Sequence, residues 1–419
     1  MEKRIRKLAG NPSVQFTVMS AAASGINIGT LILFGRIFPV EEYGVISTFQ
    51  ALLANVAVLM TPLQILFCRK IAGSRGGSGE ETPELSALAS LLLVMNGAEC
   101  LILLAAAVPM IRYLHLPGLL DYFLYVLLVC LNNLYLVACG AAQGHQDFRA
   151  LGWAGILLYG VKLLFGAGLG LAGTGPSAVI IGFCVAEACA LVFLFRRIRR
   201  LAAGLRREFR FSVPRETLKT YLRMTVVYAV VSLYMNNGDL LFGNLYVPEK
   251  EIGLYSVAIT LSKISVFLIA TPMATLLLPK AAAAEGRPAK QRKQLRIAEG
   301  FTVGLSVAYG GVLFLLRDWV TVRLYGADYA GAAGYIGCGT VFSLALGAFW
   351  VFYQYAMATE LEKPFTVSAI FFGAAAAAGI LLLRPGMAEI ALFMAASMGL
   401  TVCSSMVLKH LFNNYLKKS

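Results

Sequence analysis

The amino-acid sequence predicts an all-α polytopic membrane protein with about twelve transmembrane helices in two six-helix bundles. Three observations support this fold class: the composition, a series of long apolar windows and an internal repeat. The chain of 419 residues is 58% hydrophobic and 14% charged, with a mean hydropathy of +0.73. Soluble domains are nearer half apolar and a quarter charged, so the composition excludes a soluble enzyme.

Twelve windows with few or no charges follow one another along the chain. A transmembrane helix needs about 20 such residues. The windows lack the alternation of apolar and polar residues that a barrel strand shows, so each window predicts a helix. The first window continues past the small residues 21–23 to Gly35, which favours a retained helix over a cleaved signal peptide. The windows lie at about 13–35, 45–68, 85–108, 122–140, 149–172, 177–195, 220–243, 253–278, 298–316, 333–356, 365–383 and 388–408.

The distribution of Lys and Arg predicts the orientation of the helices. With both termini in the cytoplasm, the cytoplasmic segments carry 28 of these residues and the outer segments carry 6, while Lys162 and Lys263 lie inside spans. Such an excess on one side is the usual topology signal. The basic stretch from Arg196 to Lys219 is the longest predicted loop. It is interpreted either as an anchor that faces the anionic leaflet or as a gating linker.

An internal repeat relates the two halves of the chain. Residues 33–47, between the first two windows, align with residues 241–256, between the seventh and eighth windows. With a one-residue gap, Leu, Phe, Gly, Pro, Glu, Gly and Ser coincide. The Thr-Pro pair at 61–62 recurs at 271–272. The offset of 208 to 210 residues is half of the chain. Because six is an even number of spans, both halves insert in the same orientation.

The repeat predicts the domain organisation. We expect an N-terminal six-helix bundle over residues 1–200, a basic cytoplasmic linker over 201–219 and a C-terminal six-helix bundle over 220–419. The two bundles would superpose, with Gly44 and Gly253 on the same side of the membrane.

The repeated hairpin has a clear local chemistry. Pro39 and Pro248 end the preceding helix, and acidic residues follow at the start of the next one, where they favour the positive end of the helix dipole. We interpret Glu41 and Glu42 in this structural way. The alternative is a catalytic acidic pair in an outer loop, as in membrane glycosyltransferases.

Five motifs along the chain occur together in one known family: residues 35–44, Asp239-Leu240-Leu241, 253–256, Gln143-Gly144 and Phe148-Arg149. They resemble the polysaccharide flippases of the MOP superfamily, which also contains the multidrug MATE antiporters and the lipid II flippases. The resemblance implies a MATE-like fold with two bundles around a central cavity. It also implies translocation of an undecaprenyl-diphosphate-linked oligosaccharide across the bacterial cytoplasmic membrane. Lipid II flippases usually have fourteen helices, so twelve windows argue against that branch.

Five charged residues fall within the apolar windows, where a charge is costly and is a functional candidate by default. They are Glu99, Lys162, Glu187, Asp239 and Lys263. At 1.5 Å per residue, all except Asp239 lie near mid-depth, so opposite charges can compensate each other. We expect Lys162 and Glu187, from consecutive spans, to form an interhelical ion pair.

The implied substrate suggests roles for these and neighbouring residues. Cationic side chains would attract the diphosphate, amides and aromatics would bind sugars, and buried acids would carry coupling protons because burial favours their neutral form. The substrate-binding candidates are Arg36, Lys162, Lys263, Asn236, Asn237 and Tyr228. The ion-coupling candidates are Glu99, Glu187 and Asp239.

Two other functions stay open at this point. A cation-coupled multidrug antiporter predicts a cavity dominated by acids and aromatics, and a membrane glycosyltransferase or polysaccharide polymerase predicts catalytic acids or histidines in outer loops. His115, His145 and His410 are scattered, and no Cys-x-x-Cys pair occurs, so we expect no catalytic activity, no metal and no cofactor. The expected partners are the lipid-linked oligosaccharide, membrane lipids and other polysaccharide-assembly proteins, and not nucleic acid.

Overall fold

A computed structural model describes residues 12–73, 82–116, 118–145, 147–173, 175–208, 211–271, 273–274, 277, 281, 287–357, 359 and 361–416. All regular secondary structure within these ranges is helical. This result confirms the predicted all-α fold class. The chain divides into two compact units, Met1–Ala229 and Val230–Ser419.

Within the described ranges, the first unit contains eight helices and the beginning of a ninth. A short 3₁₀ turn, Ala57–Leu59, lies between the second and third helices. The helices are α1 (Pro12–Ile37), α2 (Val40–Val56), α3 (Thr61–Gly73), α4 (Thr82–Ala105), α5 (Ala107–Tyr113), α6 (Leu119–Gly144), α7 (Phe148–Leu171), α8 (Pro176–Glu208) and α9 (Arg215–Met235), which continues into the second unit.

Within the described ranges, the second unit contains the end of α9 and seven further helices. A single π-helical turn, Val266–Ala270, extends α11, and a 3₁₀ segment, Ala327–Tyr335, precedes α14. The helices are α10 (Gly238–Gly243), α11 (Glu249–Ser265), α12 (Pro288–Leu315), α13 (Arg317–Tyr325), α14 (Ile336–Met357), α15 (Glu362–Leu383) and α16 (Met387–Leu416).

Eleven helical segments within the described ranges are long and apolar enough to cross a membrane. The chain is therefore a multi-pass membrane protein. Of the twelve predicted windows, the seventh, 220–243, is not among these eleven. Its helix, α9, begins in a charged stretch at Arg215 and ends at Met235, inside the window, because the chain is broken there. Asn237 adopts a left-handed conformation with φ of +55° between α9 and α10, a conformation that Asn tolerates better than most side chains. A Cβ on the next residue, Gly238, would lie 2.4 Å from the carbonyl oxygen of Leu233.

The repeated hairpins have the expected local structure. Pro39 and Pro248 immediately precede α2 and α11, and each of these helices has two glutamates in its first turn. Glu41 is exposed and Glu42 is half-buried. The geometry fits the structural interpretation of the acids, because the positive end of the helix dipole stabilises their negative charge.

The Thr-Pro pairs of the repeat coincide with irregular helix geometry in each unit. The 3₁₀ turn directly before Thr61 and the π turn directly before Thr271 both disturb the regular helix, and Pro62 cannot donate a backbone hydrogen bond. The Thr61 hydroxyl donates to the carbonyl of Ala57 at 3.2 Å, and the Thr271 hydroxyl donates to that of Val266 at 3.1 Å. Pro272 lies outside the described residues. Each threonine thus bonds a carbonyl within a distorted turn.

The basic stretch from Arg196 to Lys219 is not the long loop that its charge suggested. Helix α8 extends to Glu208 and α9 begins at Arg215, so most of the stretch is helical. Arg and Leu are good helix formers, and no glycine pair or proline interrupts them before Pro214. The sixth window, 177–195, therefore ends inside α8, which continues to Glu208.

Helices pack closely within each unit because small residues replace bulky ones at the contacts. In the first unit α7 packs on both α1 and α8, and a Cβ on Gly182 of α8 would lie 2.6 Å from the backbone nitrogen of Gly166 in α7. In the second unit α16 packs on α14 and α15, and α14 also contacts α11 and α12. Such small-residue contacts are typical of membrane helices.

Candidate functional site

The first unit contains a buried ion pair between α7 and α8. The Lys162 ammonium lies 3.2 Å from the Glu187 carboxylate, and the two residues are 9% and 1% exposed. The ammonium also lies 4.5 Å from the ring centroid of Phe183, one helical turn before Glu187, a distance that permits a cation–π interaction. The expected pair is confirmed. Its two charges compensate each other, which makes their burial tolerable.

A second polar cluster of the first unit lies between α4 and α6. The Asn133 amide, fully buried, donates at 2.6 Å to the Glu99 carboxylate and at 2.9 Å to the side-chain oxygen of Asn96. Asn96 in turn donates to the sulfur of Cys130 at 3.3 Å. Glu99 is buried, yet none of the ion pairs among the described residues involves it. It therefore depends on amides rather than on a cation.

The second unit has its buried charges at the break between α9 and α10. The Lys263 ammonium, from α11, donates to the side-chain oxygen of Asn237 and lies 5.0 Å from the ring centroid of Phe342. The Tyr255 hydroxyl, also from α11, donates to the fully buried Asp239 carboxylate. The broken helix thus provides an amide to the lysine of α11 and a carboxylate to its tyrosine.

The remaining sequence candidates have more peripheral positions. Arg36 is exposed in the last turn of α1, and Tyr228 is half-buried in the middle of α9. Asn236 is half-buried, and its backbone nitrogen donates to the carbonyl of Ser232 at 2.7 Å, which closes the last turn before the break. The structure therefore brings Asn237 and Asp239 against α11, where they meet Lys263 and Tyr255 respectively.

The sequence analysis did not identify four contributors to these clusters. Asn96 and Asn133 complete the Glu99 cluster, and Tyr255 and Phe342 complete the Lys263 cluster. Asn96 and Glu99 are three residues apart, which places both on one helix face. This spacing could have identified Asn96 as a member of the Glu99 cluster. Tyr255 and Phe342 carry no such signal, because aromatics are abundant in every window.

Each buried acid retains a capacity to bind a proton or cation. One carboxylate oxygen of Glu99, of Glu187 and of Asp239 has no hydrogen-bond partner among the described residues. Within the same part of the chain, no group of three His, Cys, Asp or Glu side chains is arranged to hold a metal ion. None of the eight cysteines forms a disulfide bond. The buried polar clusters are therefore built around individual carboxylates, amides and lysines rather than around a metal-binding group of acids, histidines or cysteines.

Comparison with solved structures identifies the fold. An inward-facing multidrug resistance MATE family transporter of the MOP superfamily matches with a TM-score of 0.75 at 14% identity, over 95% of this chain and 96% of that one. The lipid II flippase MurJ, in an inward closed conformation, matches with a TM-score of 0.75 at 13% identity, over 95% and 87%. A MOP superfamily transporter from Pyrococcus furiosus matches with a TM-score of 0.63 at 16% identity, over 98% of each chain.

Comparison of the sequence with protein families gives a match that is independent of the fold. The profile of a family described as "Polysaccharide biosynthesis protein" matches residues 33–333, well over half of the chain. No curated protein sequence matches the chain significantly. The resemblance noted from the motifs is thus confirmed, and the chain belongs to the polysaccharide biosynthesis protein family, with the fold of the MOP superfamily.

Proposed function

We propose that this protein flips an undecaprenyl-diphosphate-linked oligosaccharide across the bacterial cytoplasmic membrane for the assembly of a surface polysaccharide. One observation carries the proposal: a polysaccharide biosynthesis family match combined with a fold shared with a lipid II flippase. The protein acts as a transporter rather than as an enzyme. It works by alternating access, with the sugar headgroup in a polar cavity and the lipid tail in the bilayer.

The C-terminal cluster supports a role in binding the diphosphate. An ammonium has three donors, and the Lys263 ammonium uses one of them for Asn237. A phosphate oxygen can take another and would form a charge-assisted hydrogen bond in a site of low polarity. Lys162 is less suited to this role because Glu187 neutralises it. We therefore assign Lys263 to the substrate and Lys162 to the structure.

The buried acids support coupling of transport to a proton or a cation. Asp239 and Glu99 each keep an oxygen without a partner and have no lysine or arginine in ion-pair contact among the described residues. Protonation would remove the cost of burying their charge. Glu187 is the weaker candidate, since its pairing with Lys162 already offsets that cost.

One observation favours a second candidate function, a cation-coupled multidrug antiporter. The MATE transporter matches the fold with the same TM-score as the lipid II flippase. An organic cation, however, would be repelled by Lys263, whose hydrogen-bond partner is an uncharged amide and which forms no ion pair with Asp239 among the described residues. The antiporter is therefore the second candidate.

Complementation tests the proposal and separates the two functions. In a bacterial strain whose own polysaccharide flippase is deleted, the lipid-linked oligosaccharide accumulates on the cytoplasmic side. Expression of this protein should restore surface polysaccharide and reduce that accumulation. Restored resistance to cationic drugs in an efflux-deficient strain, with no effect on the lipid-linked glycan, would instead establish the antiporter.

A further inference from the structure

A pocket in the second unit lies apart from the Lys263 cluster and combines a basic rim with an apolar floor. Its volume is about 450 Å³, within the range of small-molecule sites. It is formed where the first turns of α12 meet the last turns of α14 and the C-terminal half of α16. Its lining includes Arg292, Arg296 and Glu299 from α12, Phe352 and Tyr355 from α14, and Lys409 from α16.

The rim of the pocket carries an excess of positive charge. Arg292 and Arg296 are one helical turn apart and therefore lie on the same face of α12, and Lys409 faces them from α16. Both arginines are exposed, and neither forms an ion pair with a carboxylate of the described residues. Against these three cations the lining offers one acid, Glu299, so the pocket is suited to an anion.

The floor and the adjoining surface of the pocket are apolar. Leu295, Phe352 and Leu361 are buried in its floor. Met406 also lines the pocket and is 45% exposed, so the lining continues as an apolar surface at the edge of the pocket. In a membrane protein such a surface faces acyl chains. A free anion would leave this apolar surface unused, whereas a lipid would occupy both parts.

We propose that this pocket binds an anionic phospholipid of the surrounding bilayer. The phosphate would lie between Arg292, Arg296 and Lys409, and an acyl chain would follow the apolar surface past Met406. Basic pockets between transmembrane helices commonly hold lipid headgroups in this way. The bound lipid would join α12, α14 and α16 at one end of the second unit. It is a resident lipid and not the transported cargo.

A titration of the purified full-length protein with phosphatidylglycerol, followed by native mass spectrometry, tests the proposal. Each basic residue near a lipid surface contributes about 1 kcal/mol, so the double variant Arg292→Gln/Arg296→Gln should bind about thirtyfold more weakly. The matched control is Lys290→Gln/Lys293→Gln, which removes the same charge from exposed positions of α12 that do not line the pocket. The control should change the affinity less than twofold.

Two further measurements control for misfolding of the variant and for the identity of the ligand. The variant Arg292→Lys/Arg296→Lys keeps the charge and should retain most of the binding. If it lost binding as the Gln double variant does, the loss would come from a disturbed structure and not from the missing charge. Phosphatidylcholine should bind much more weakly than phosphatidylglycerol, and soluble glycerol phosphate should not compete at the same concentration. Equal losses in the Gln double variant and its control, equal binding of both lipids, or competition by glycerol phosphate would each overturn the proposal.

Discussion

The two buried lysines differ in the nature of their partner. Lys162 faces the Glu187 carboxylate, whereas Lys263 faces an amide oxygen of Asn237. A carboxylate neutralises the ammonium and fixes it, while an amide satisfies one donor and leaves the net charge available. This difference predicts opposite responses to the same substitution.

The first prediction concerns stability. Lys162→Met leaves Glu187 buried without its cation, and breaking a buried pair in this way costs about 3–5 kcal/mol. The variant should accumulate poorly in the membrane and unfold at lower temperature. The double variant Lys162→Met/Glu187→Gln removes both charges and should recover most of the loss. Thermal unfolding in detergent measures both effects, and a double variant no better than the single one would contradict an ion-pair role.

The second prediction concerns transport. Methionine has a side chain of similar length to lysine but carries no charge, so the variant Lys263→Met should reach the membrane at near-normal levels. Loss of a hydrogen bond to a charged group costs about 1.5–3 kcal/mol, so restoration of surface polysaccharide in a flippase-deleted cell should fall at least tenfold. Ser262→Ala is the matched control, because among the described residues that hydroxyl donates only to the Ala258 carbonyl of its own helix. Full activity of Lys263→Met would remove it from the site, and poor accumulation would favour a structural role.

At the scale of the helix, the break between α9 and α10 positions the C-terminal cluster. A continuous helix would require a negative φ at residue 237, but Asn237 has φ of +55° and presents its side chain to Lys263. The same residue therefore has a backbone role and a side-chain role. Substitutions can separate the two.

The third prediction uses this separation. Asn237→Gly keeps the left-handed backbone without strain and removes only the amide, so we expect normal membrane levels with reduced transport. Asn237→Val keeps a side chain but is β-branched, and such residues at positive φ cost about 1–3 kcal/mol. It should lower the unfolding temperature. If both variants unfolded alike, the backbone conformation would not be the constraint at this position.

At the scale of the whole molecule, the charge distribution predicts topology. Reporter fusions at Gly118, Gly204 and Asp328 should report outside, cytoplasm and outside, because the basic segments are retained on the cytoplasmic side. The helical extension of α8 to Glu208 places Gly204 beyond the apolar window on the same helix. An external signal at Gly204 would reverse the assigned orientation. An alkaline phosphatase and green fluorescent protein pair provides the two complementary readouts.

Much of the architecture could be predicted because membrane helices are encoded locally. A run of about 20 apolar residues has no other stable arrangement in a bilayer, and eleven of the twelve predicted windows are long apolar helices in the structure. The exceptions involve local backbone choices. Asn237 breaks the seventh window, and the charged region after Arg196 continues as a helix rather than a loop.

The candidate site could be predicted only in part. The unusual residues Glu99, Lys162, Asp239 and Lys263 were visible because charge is rare in apolar windows. Their partners were less visible: Asn133 is one polar residue in a long helix, and Tyr255 is one aromatic among many. Pairing also depends on how each helix is rotated about its axis, which the sequence does not specify.

The sequence by itself determined the all-helical membrane fold, the repeated hairpins and the small set of buried charges, because hydropathy, proline and charge act over short stretches of chain. The sequence also predicted the pair of Lys162 and Glu187, because their spans are consecutive. Only the tertiary structure decided that Glu99 lies against Asn133 and that Lys263 meets Asn237. The physical reason is that a buried charge requires a partner, and helix packing selects that partner from residues distant in sequence.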